Sequence, residues 1–382
     1  MHAKLDNPEL LHAKKLNIRI YSFPEFISSN SSYQKRIVIA GSHGKTTITA
    51  MILHVLQDSN IKVDYLLGAK INSLNNLVNL KNNEILLVEG DEYLSSPIDK
   101  RPKFMHYDPT ILVVSGVAWD HVNVFDSLHS YQNAFKDLLN LVIQKMGQIF
   151  YCGDDVFLSN FLNQNDHVQP YYLPDYLVED NKFMILDDTV KIPLHIFGKH
   201  NLYNVEAAKL VCLELGVSQQ KFYSSIQNFH GAHKRLSLIK TTKNNSSIYY
   251  DFAHSPSKVE ATIDAMKERY SKRYLIACLQ LYTFSSLDEK FIPNYANVFN
   301  KADEVWIYID QKSKKASKRN SITPEFLFSV LNHKLVYPVR DKRLLVSMLR
   351  KITFNNLNLL LMSSGNFSGL DISNLFNDLN HS

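Results

Sequence analysis

Cysteine is scarce in this 382-residue chain: Cys152, Cys212 and Cys278 are far apart and each lies in apolar surroundings. That spacing argues against a disulfide framework or a zinc cluster and for buried free thiols. No uninterrupted apolar run is long enough to span a bilayer. The opening Met1-His2-Ala3-Lys4-Leu5-Asp6 is polar, without the apolar core of a secretory signal, so the expected compartment is the cytoplasm and no membrane partner is expected. A strong charge of either sign is lacking too. The net charge of +5 mildly favours anionic ligands and gives no argument for nucleic acid. Repeats and low-complexity tracts are absent. What remains is a globular composition, 45% hydrophobic and 21% charged, on a chain long enough for two or three ordinary cores.

The rest of the chain is organised around Lys35-Arg36-Ile37-Val38-Ile39-Ala40-Gly41-Ser42-His43-Gly44-Lys45-Thr46-Thr47. It reads as an apolar strand, a glycine turn, and Lys-Thr at a helix start, the helix continuing through Ile48, Met51, Ile52, Val55 and Leu56. Strand, glycine loop and helix N-terminus together make a phosphate cradle. The glycines admit backbone N–H groups to the phosphate, and the helix adds its positive end. Lys45 would neutralise the outer phosphates, and the Thr46 hydroxyl would face Mg²⁺. Only Ser42 and His43 separate Gly41 from Gly44-Lys45, so the loop is shorter than the usual pattern of four intervening residues.

Residues 1–32 hold a short helix from Pro8, a candidate strand Ile18–Tyr21, a helical turn Phe23–Ile27 and a polar linker Ser28–Ser32. This is too little for a domain; it either packs on something else or is the tail of a domain whose beginning is absent. From 33 to 228 strands (Arg36–Ala40, Glu84–Glu89, Ile111–Ser115, Gln148–Tyr151) alternate with helices (Thr46–Gln57, Ser130–Val142, Asn201–Leu215). That alternation predicts a largely parallel sheet covered on both faces, with its site at the carboxyl ends of the strands. From 229 to 382 the alternation restarts with strands Ile248–Phe252, Tyr274–Leu279, Glu304–Ile309, Lys334–Tyr337 and Leu357–Met362. Ser255-Pro256 and Thr323-Pro324-Glu325 mark helix starts there. Lys312–Arg319 reads as a solvated basic loop.

Further candidates fall at strand ends. Val88-Glu89-Gly90-Asp91-Glu92-Tyr93 is either an acidic turn or a Mg²⁺ ligand site beside the phosphate loop. Asp120-His121 is a packed or exposed pair, or a metal ligand with its orienting carboxylate. In Phe197-Gly198-Lys199-His200-Asn201-Leu202-Tyr203-Asn204, Asn201 is either a helix cap or an amide that reads the adenine edge. Phe229-His230-Gly231-Ala232-His233-Lys234-Arg235-Leu236 is a solvated linker, or delivers Arg235 to a transferring phosphoryl group. Tyr250-Asp251-Phe252-Ala253-His254-Ser255-Pro256 offers Asp251 to ribose hydroxyls.

Taken in order, these motifs resemble the Mur ligases, the ATP-dependent amide-forming enzymes of peptidoglycan synthesis, over essentially the whole chain. Asp91-Glu92-Tyr93, Asp99-Lys100-Arg101-Pro102-Lys103-Phe104-Met105-His106-Tyr107 and Met362-Ser363-Ser364-Gly365-Asn366-Phe367-Ser368-Gly369 are most similar to the murein peptide ligases within that family. The resemblance implies an α/β protein. Residues 1–32 would be the remnant of an N-terminal UDP-binding domain, 33–228 a central P-loop-type ATPase domain, and 229–382 a C-terminal Rossmann-like ligase domain. It implies ATP and Mg²⁺ as cofactors. Gly41, Ser42, His43, Gly44, Lys45, Thr46 and Thr47 would cradle the nucleotide. Thr46 and Glu89 would hold one Mg²⁺ and His121 a second, Asn201 would contact adenine, Asp251 the ribose and Arg235 the γ-phosphate. Lys45, His121 and Arg235 would form the catalytic set.

The implied reaction joins UDP-N-acetylmuramate to a murein tripeptide through an acyl phosphate. L-alanine as acceptor, or a truncated ATP-binding protein without ligase activity, are the alternatives. A monomer or weak homo-oligomer is expected. Gly116 and Ala118 depart from the Asn and Glu usual in the family, and Tyr282 from a frequent His.

Overall fold

The computed structural model describes residues 4–29, 33–69, 76–119, 124–163, 166–283, 285–309 and 322–376. The chain divides into two compact units. The first comprises Met1–Asp175, Leu186–Ile192 and Asn201–His230; the second comprises Tyr176–Ile185, Pro193–His200 and Gly231–Ser382.

The first unit is built on strands β1 (Lys35–Ala40), β2 (Asp64–Leu66), β3 (Val78–Asn79), β4 (Ile85–Glu89), β5 (Ile111–Val114), β6 (Gln148–Cys152) and β7 (Val168–Tyr171). They form one sheet in the order β3-β2-β4-β1-β5-β6-β7. Its pairs are parallel except β2 with β3. The unbroken apolar run Ile37-Val38-Ile39-Ala40 is fully buried, as a parallel strand covered on both faces requires. Register sets up the site. Ile39 stands opposite Glu89, and Ala40 opposite Val114, so the carboxyl ends of the three central strands lie side by side. One face packs Val38, Val88, Leu112 and Val114 against Phe104, Phe135 and Leu138, where truncating a large side chain costs about 3–5 kcal/mol.

The unit's helices are α1 (Pro8–Lys15), α2 (Phe23–Ser29), α3 (Lys45–Asp58), α4 (Leu128–Gln144), α5 (Val156–Phe161), α6 (Lys199–Glu214) and α7 (Gln219–Ile226). α1 starts as its sequence predicts, with the Asn7 side chain accepting from Leu10 N at 3.1 Å and Pro8 in the first turn. The segment Ile18–Tyr21 is not a strand; it is irregular chain between α1 and α2, and Ile18 is exposed. A strand needs a neighbour for its backbone groups, and none is paired there.

Strands β8 (Tyr176–Glu179), β9 (Lys182–Asp187) and β10 (Val190–Leu194) form a small sheet, β8 and β9 pairing antiparallel around Asp180-Asn181. Both turn residues have positive φ, 50° and 58°, the geometry of a tight hairpin and one that Asp and Asn tolerate.

In the second unit, β11 (Ser237–Thr242), β12 (Ser246–Asp251), β13 (Tyr274–Gln280), β14 (Glu304–Tyr308), β15 (Val336–Val339) and β16 (Leu357–Met362) form a sheet in the order β11-β12-β16-β13-β14-β15. All its pairs are parallel except β11 with β12. Helices α8 (Pro256–Arg269), α9 (Pro324–Leu331), α10 (Lys342–Arg350) and α11 (Ile372–Leu375) accompany it. Thr323 caps α9, accepting from Phe326 N at 3.2 Å. Ser255 occupies the N-cap of α8 without a capping bond from its side chain. The expected basic loop Lys312–Arg319 lies outside the described residues. Cys152, Cys212 and Cys278 are free thiols, the last two buried and pushed up in pKa by that burial.

Candidate functional site: a phosphate loop and its buried acids

At the end of β1 the chain turns through Gly41 and Gly44, with φ of +117° and +78°. Both glycines are required by space as well as by φ. A Cβ on Gly41 would lie 2.4 Å from Ser115 Oγ, and one on Gly44 would lie 2.2 Å from Asn204 Oδ1. Ser115, at the end of β5, donates its hydroxyl to the His43 carbonyl. Ser42 is spent on shaping the loop. Its N–H donates to the Gly116 carbonyl at 2.9 Å, and its hydroxyl donates to the Ala118 carbonyl at 2.7 Å while accepting from Ala118 N at 2.9 Å. Gly116 and Ala118, two of the three departures from the family pattern, therefore serve this loop through their backbones. Asp155 steadies the same segment, accepting from Val117 N at 2.6 Å while capping α5 through Leu158 N at 2.9 Å.

Lys45 and Thr46 open α3, and each is held by its own carboxylate. Lys45 Nζ donates to the Gly41 carbonyl at 2.6 Å and to Glu92 Oε2 at 2.9 Å. Burial by itself would push the Lys45 ammonium down. The Glu92 carboxylate, with Asp91 and Glu89 behind it, more than offsets that and holds its pKa above the usual lysine value. Thr46 Oγ1 donates to Glu89 Oε2 at 2.9 Å, and Glu89 Oε1 accepts from Gly68 N at 2.6 Å. Thr47 is buried in the first turn of α3.

The donor set fits a small hard cation. A hydroxyl and a carboxylate oxygen converge within one hydrogen-bond length, beside a loop built for phosphate. No group of three or more metal-ligating side chains occurs among the described residues. A cation here would thus complete its shell with phosphate oxygens and water, as Mg²⁺ prefers. His121, the other expected ligand, lies outside the described residues.

Asn201, expected at the adenine, is buried in the first turn of α6, one turn from Asn204. Asn204 Nδ2 donates to Asn201 Oδ1 at 3.3 Å. Residues three apart share a helix face, so the Asn201–Asn204 pair seats α6 on Gly44. Thus Gly41 to Thr47, Glu89 and Asn201 gather in one place.

Arg235 and Asp251 belong to the second unit and gather there. Asp251, at the end of β12, accepts from the backbone N–H of Leu236 and of Ala253. Burial raises its pKa, and the neighbouring Arg235 works against that rise. The Arg235 guanidinium lies 4.7 Å from the centre of the Phe252 ring.

Glu92, Tyr131, Asn204 and Asp155 also serve the site, and none of them is among the expected site residues. Glu92 is visible in the sequence only as part of an acidic run. Asn204 has a signal, its three-residue spacing from Asn201. Tyr131 has none, being one of two aromatics on the buried stripe of α4.

Residues 39–212 match the Mur ligase middle domain. The UDP-N-acetylmuramate–L-alanine ligase of Caldicellulosiruptor bescii is 31% identical over 344 residues, covering 85% of this chain and 72% of that protein. Among solved structures, the UDP-N-acetylmuramate–alanine ligase of Thermotoga maritima has TM-score 0.72 at 20% identity, covering 96% of this chain and 81% of that one. A murein peptide ligase of Psychrobacter arcticus has TM-score 0.65 at 20% identity, covering 100% of this chain and 85% of that one.

Proposed function

The chain belongs to the Mur ligase family, ATP-dependent, ADP-forming ligases of peptidoglycan synthesis, and from that premise we propose that it joins UDP-N-acetylmuramate to a murein peptide. The observation that carries the nucleotide half is the pair of held residues at the start of α3, Lys45 on Glu92 and Thr46 on Glu89. The lactyl carboxylate of the muramate would attack the γ-phosphorus, giving an acyl phosphate and ADP. The peptide's amine would then attack the acyl carbon and, through a tetrahedral intermediate, expel phosphate.

A carboxylate is a poor acyl donor and repels a polyphosphate. Lys45 would offset that repulsion at the outer phosphates while the N–H groups at the start of α3 orient them. Thr46 and Glu89 would hold Mg²⁺, with His121 holding a second ion; bound there, the cations supply charge neutralisation at the transferring phosphoryl group. Asn201 would bond the adenine edge, Asp251 the ribose hydroxyls, and Arg235 the γ-phosphate. Within this reading the domains are 1–32, 33–228 and 229–382, the compartment is the cytoplasm, and the protein is a monomer or weak homo-oligomer.

The peptide acceptor is supported by the segment Asp99–Tyr107, one of the three segments that resemble the murein peptide ligases. Asp99 chelates Arg101 through Nε and Nη2, and Ser95 N and Ser96 N donate to the Arg101 and Asp99 carbonyls at 2.9 and 3.0 Å, which fixes the segment as an ordered turn. A second reading, L-alanine as acceptor, is favoured by the 31% identity with an L-alanine ligase. Phosphate release measured with UDP-N-acetylmuramate plus either tripeptide or L-alanine separates the two. Release that requires the nucleotide sugar and tripeptide supports the first. Release with alanine alone as acceptor supports the second, and none with either leaves a nucleotide-binding protein without ligase activity.

A further inference from the structure

Lys45 carries the charge on which nucleotide binding depends, and it already has an anion. Its Nζ is 2.9 Å from Glu92 Oε2, and the Glu92 side chain is completely buried while that of Lys45 is 16% exposed. Glu92 is held rigidly. Its other oxygen accepts from the Tyr131 hydroxyl at 3.2 Å. Tyr131 is itself fully buried, edge-on to Phe125 at 5.0 Å and packed on Phe135. The backbone on either side of Glu92 is fastened as well: Phe104 N donates to the Asp91 carbonyl at 3.1 Å, and Lys103 N to the Tyr93 carbonyl at 2.8 Å. The Lys103 ammonium adds an ion pair to Asp91 at 2.7 Å. A carboxylate so placed cannot follow Lys45 if the ammonium moves. It also stays beside any phosphate that Lys45 contacts.

The two acids three residues apart thus divide their work. Glu89 reaches the Thr46 hydroxyl on the side suited to a cation. Glu92 reaches the lysine, where its carboxylate has the charge and the acceptor geometry of a phosphate oxygen.

We propose that Glu92, braced by Tyr131, is a positioning residue that stands in for phosphate: it holds Lys45 at the mouth of the loop and is exchanged as the lysine's principal anionic partner when a nucleoside di- or triphosphate binds. This rests on the reading of the loop as an ATP site. Its consequence is opposite in sign to that of an ordinary binding residue. Glu92 competes with the nucleotide for one ammonium and repels the phosphates from a fixed, buried position, so it weakens nucleotide affinity. In return it keeps a buried lysine extended and compensated, since a buried charge without a partner is costly, and it leaves the product ADP able to depart.

The test is calorimetry with Mg·ADP on the full chain, comparing wild type with Glu92→Gln and Glu92→Asp. Glutamine keeps the size and an oxygen facing Lys45, turns its amide NH2 toward the Tyr131 hydroxyl oxygen as a donor, and removes the charge. It is expected to bind Mg·ADP about tenfold more tightly, the scale of one charge-assisted hydrogen bond no longer contested. The KM for ATP falls with it, while kcat does not rise. Aspartate draws the carboxylate back by one methylene and is expected to tighten binding by about threefold, by the same competition. A role in packing alone would lower the melting temperature and leave the dissociation constant where it was. Equal or weaker Mg·ADP binding by Glu92→Gln overturns the proposal, and if that variant does not fold, equal or weaker binding by Glu92→Asp overturns it in its place. Absence of Mg·ADP binding by the wild type would instead remove the ATP-site reading itself.

Discussion

Gly44→Ala tests the seat between the phosphate loop and α6. Two penalties act at once. The φ of +78° is left-handed, and an L-residue there costs about 1–2 kcal/mol. The added Cβ would also lie 2.2 Å from Asn204 Oδ1 and 3.2 Å from its Cγ. Asn204 cannot swing aside cheaply. It is 6% exposed, and its amide donates to Asn201 at 3.3 Å. Moving it breaks that bond and leaves a buried amide poorly paired, about 1–3 kcal/mol more.

Gly216→Ala carries the first penalty alone, so the difference between the two variants isolates the second. Gly216 has nearly the same φ, +85°, and a methyl group added there would meet nothing within 4 Å. It should therefore suffer the backbone cost alone, about 1–2 kcal/mol. Urea unfolding followed by circular dichroism should place Gly44→Ala about 1–3 kcal/mol below Gly216→Ala. Calorimetry should find Mg·ADP affinity lost in the first and kept in the second. Equal destabilisation of the two variants would show that Asn204 does not rest on Gly44, and would refute the seating of α6.

Lys45→Ala should reduce ligase turnover by a factor of at least ~10³, the scale seen when a phosphate-stabilising group is removed; a coupled phosphate-release assay reads it. Glu89→Ala should weaken Mg·ADP binding by about tenfold or more while leaving metal-free ADP binding unchanged. Paired titrations with and without a chelator decide that, and an equal effect on both forms would remove Glu89 from the metal. The pH dependence of stability should carry the signature of His200, which burial lowers to a pKa of about 4. Because the folded value lies below the unfolded one, its contribution is complete above about pH 6.5 and is lost as pH falls toward 4. That amounts to about 3 kcal/mol at most, and His200→Asn should flatten the profile over that window.

Much of the molecule is legible in the sequence because its signals are local. The run Ile37–Ala40 is apolar without interruption, which only a strand buried on both faces requires. Gly41 and Gly44 flank a turn that other residues cannot make, and Lys45-Thr46 begins a helix of clear period. The starts of α1 and α9 are written in Asn7-Pro8 and Thr323-Pro324. The small sheet β8-β9-β10 escapes such a reading because its strands are short and half-exposed, with only Asp180-Asn181 to mark the hairpin. Ile18–Tyr21 misleads because apolar and β-branched residues favour a strand only where another strand is available.

The phosphate loop, the alternation of strands and helices and the family can be read along the chain, since each depends on residue type and spacing. That Lys45 rests on Glu92 and Thr46 on Glu89 follows from the folded arrangement alone. Those contacts cross 47 and 43 positions of sequence, and they exist because parallel pairing of β1 with β4 brings the ends of both strands to one edge. The same holds for Tyr131 behind Glu92 and Asn204 behind Gly44. A side chain's partner across the core is fixed by register and packing, and neither is written in the residues on its own side.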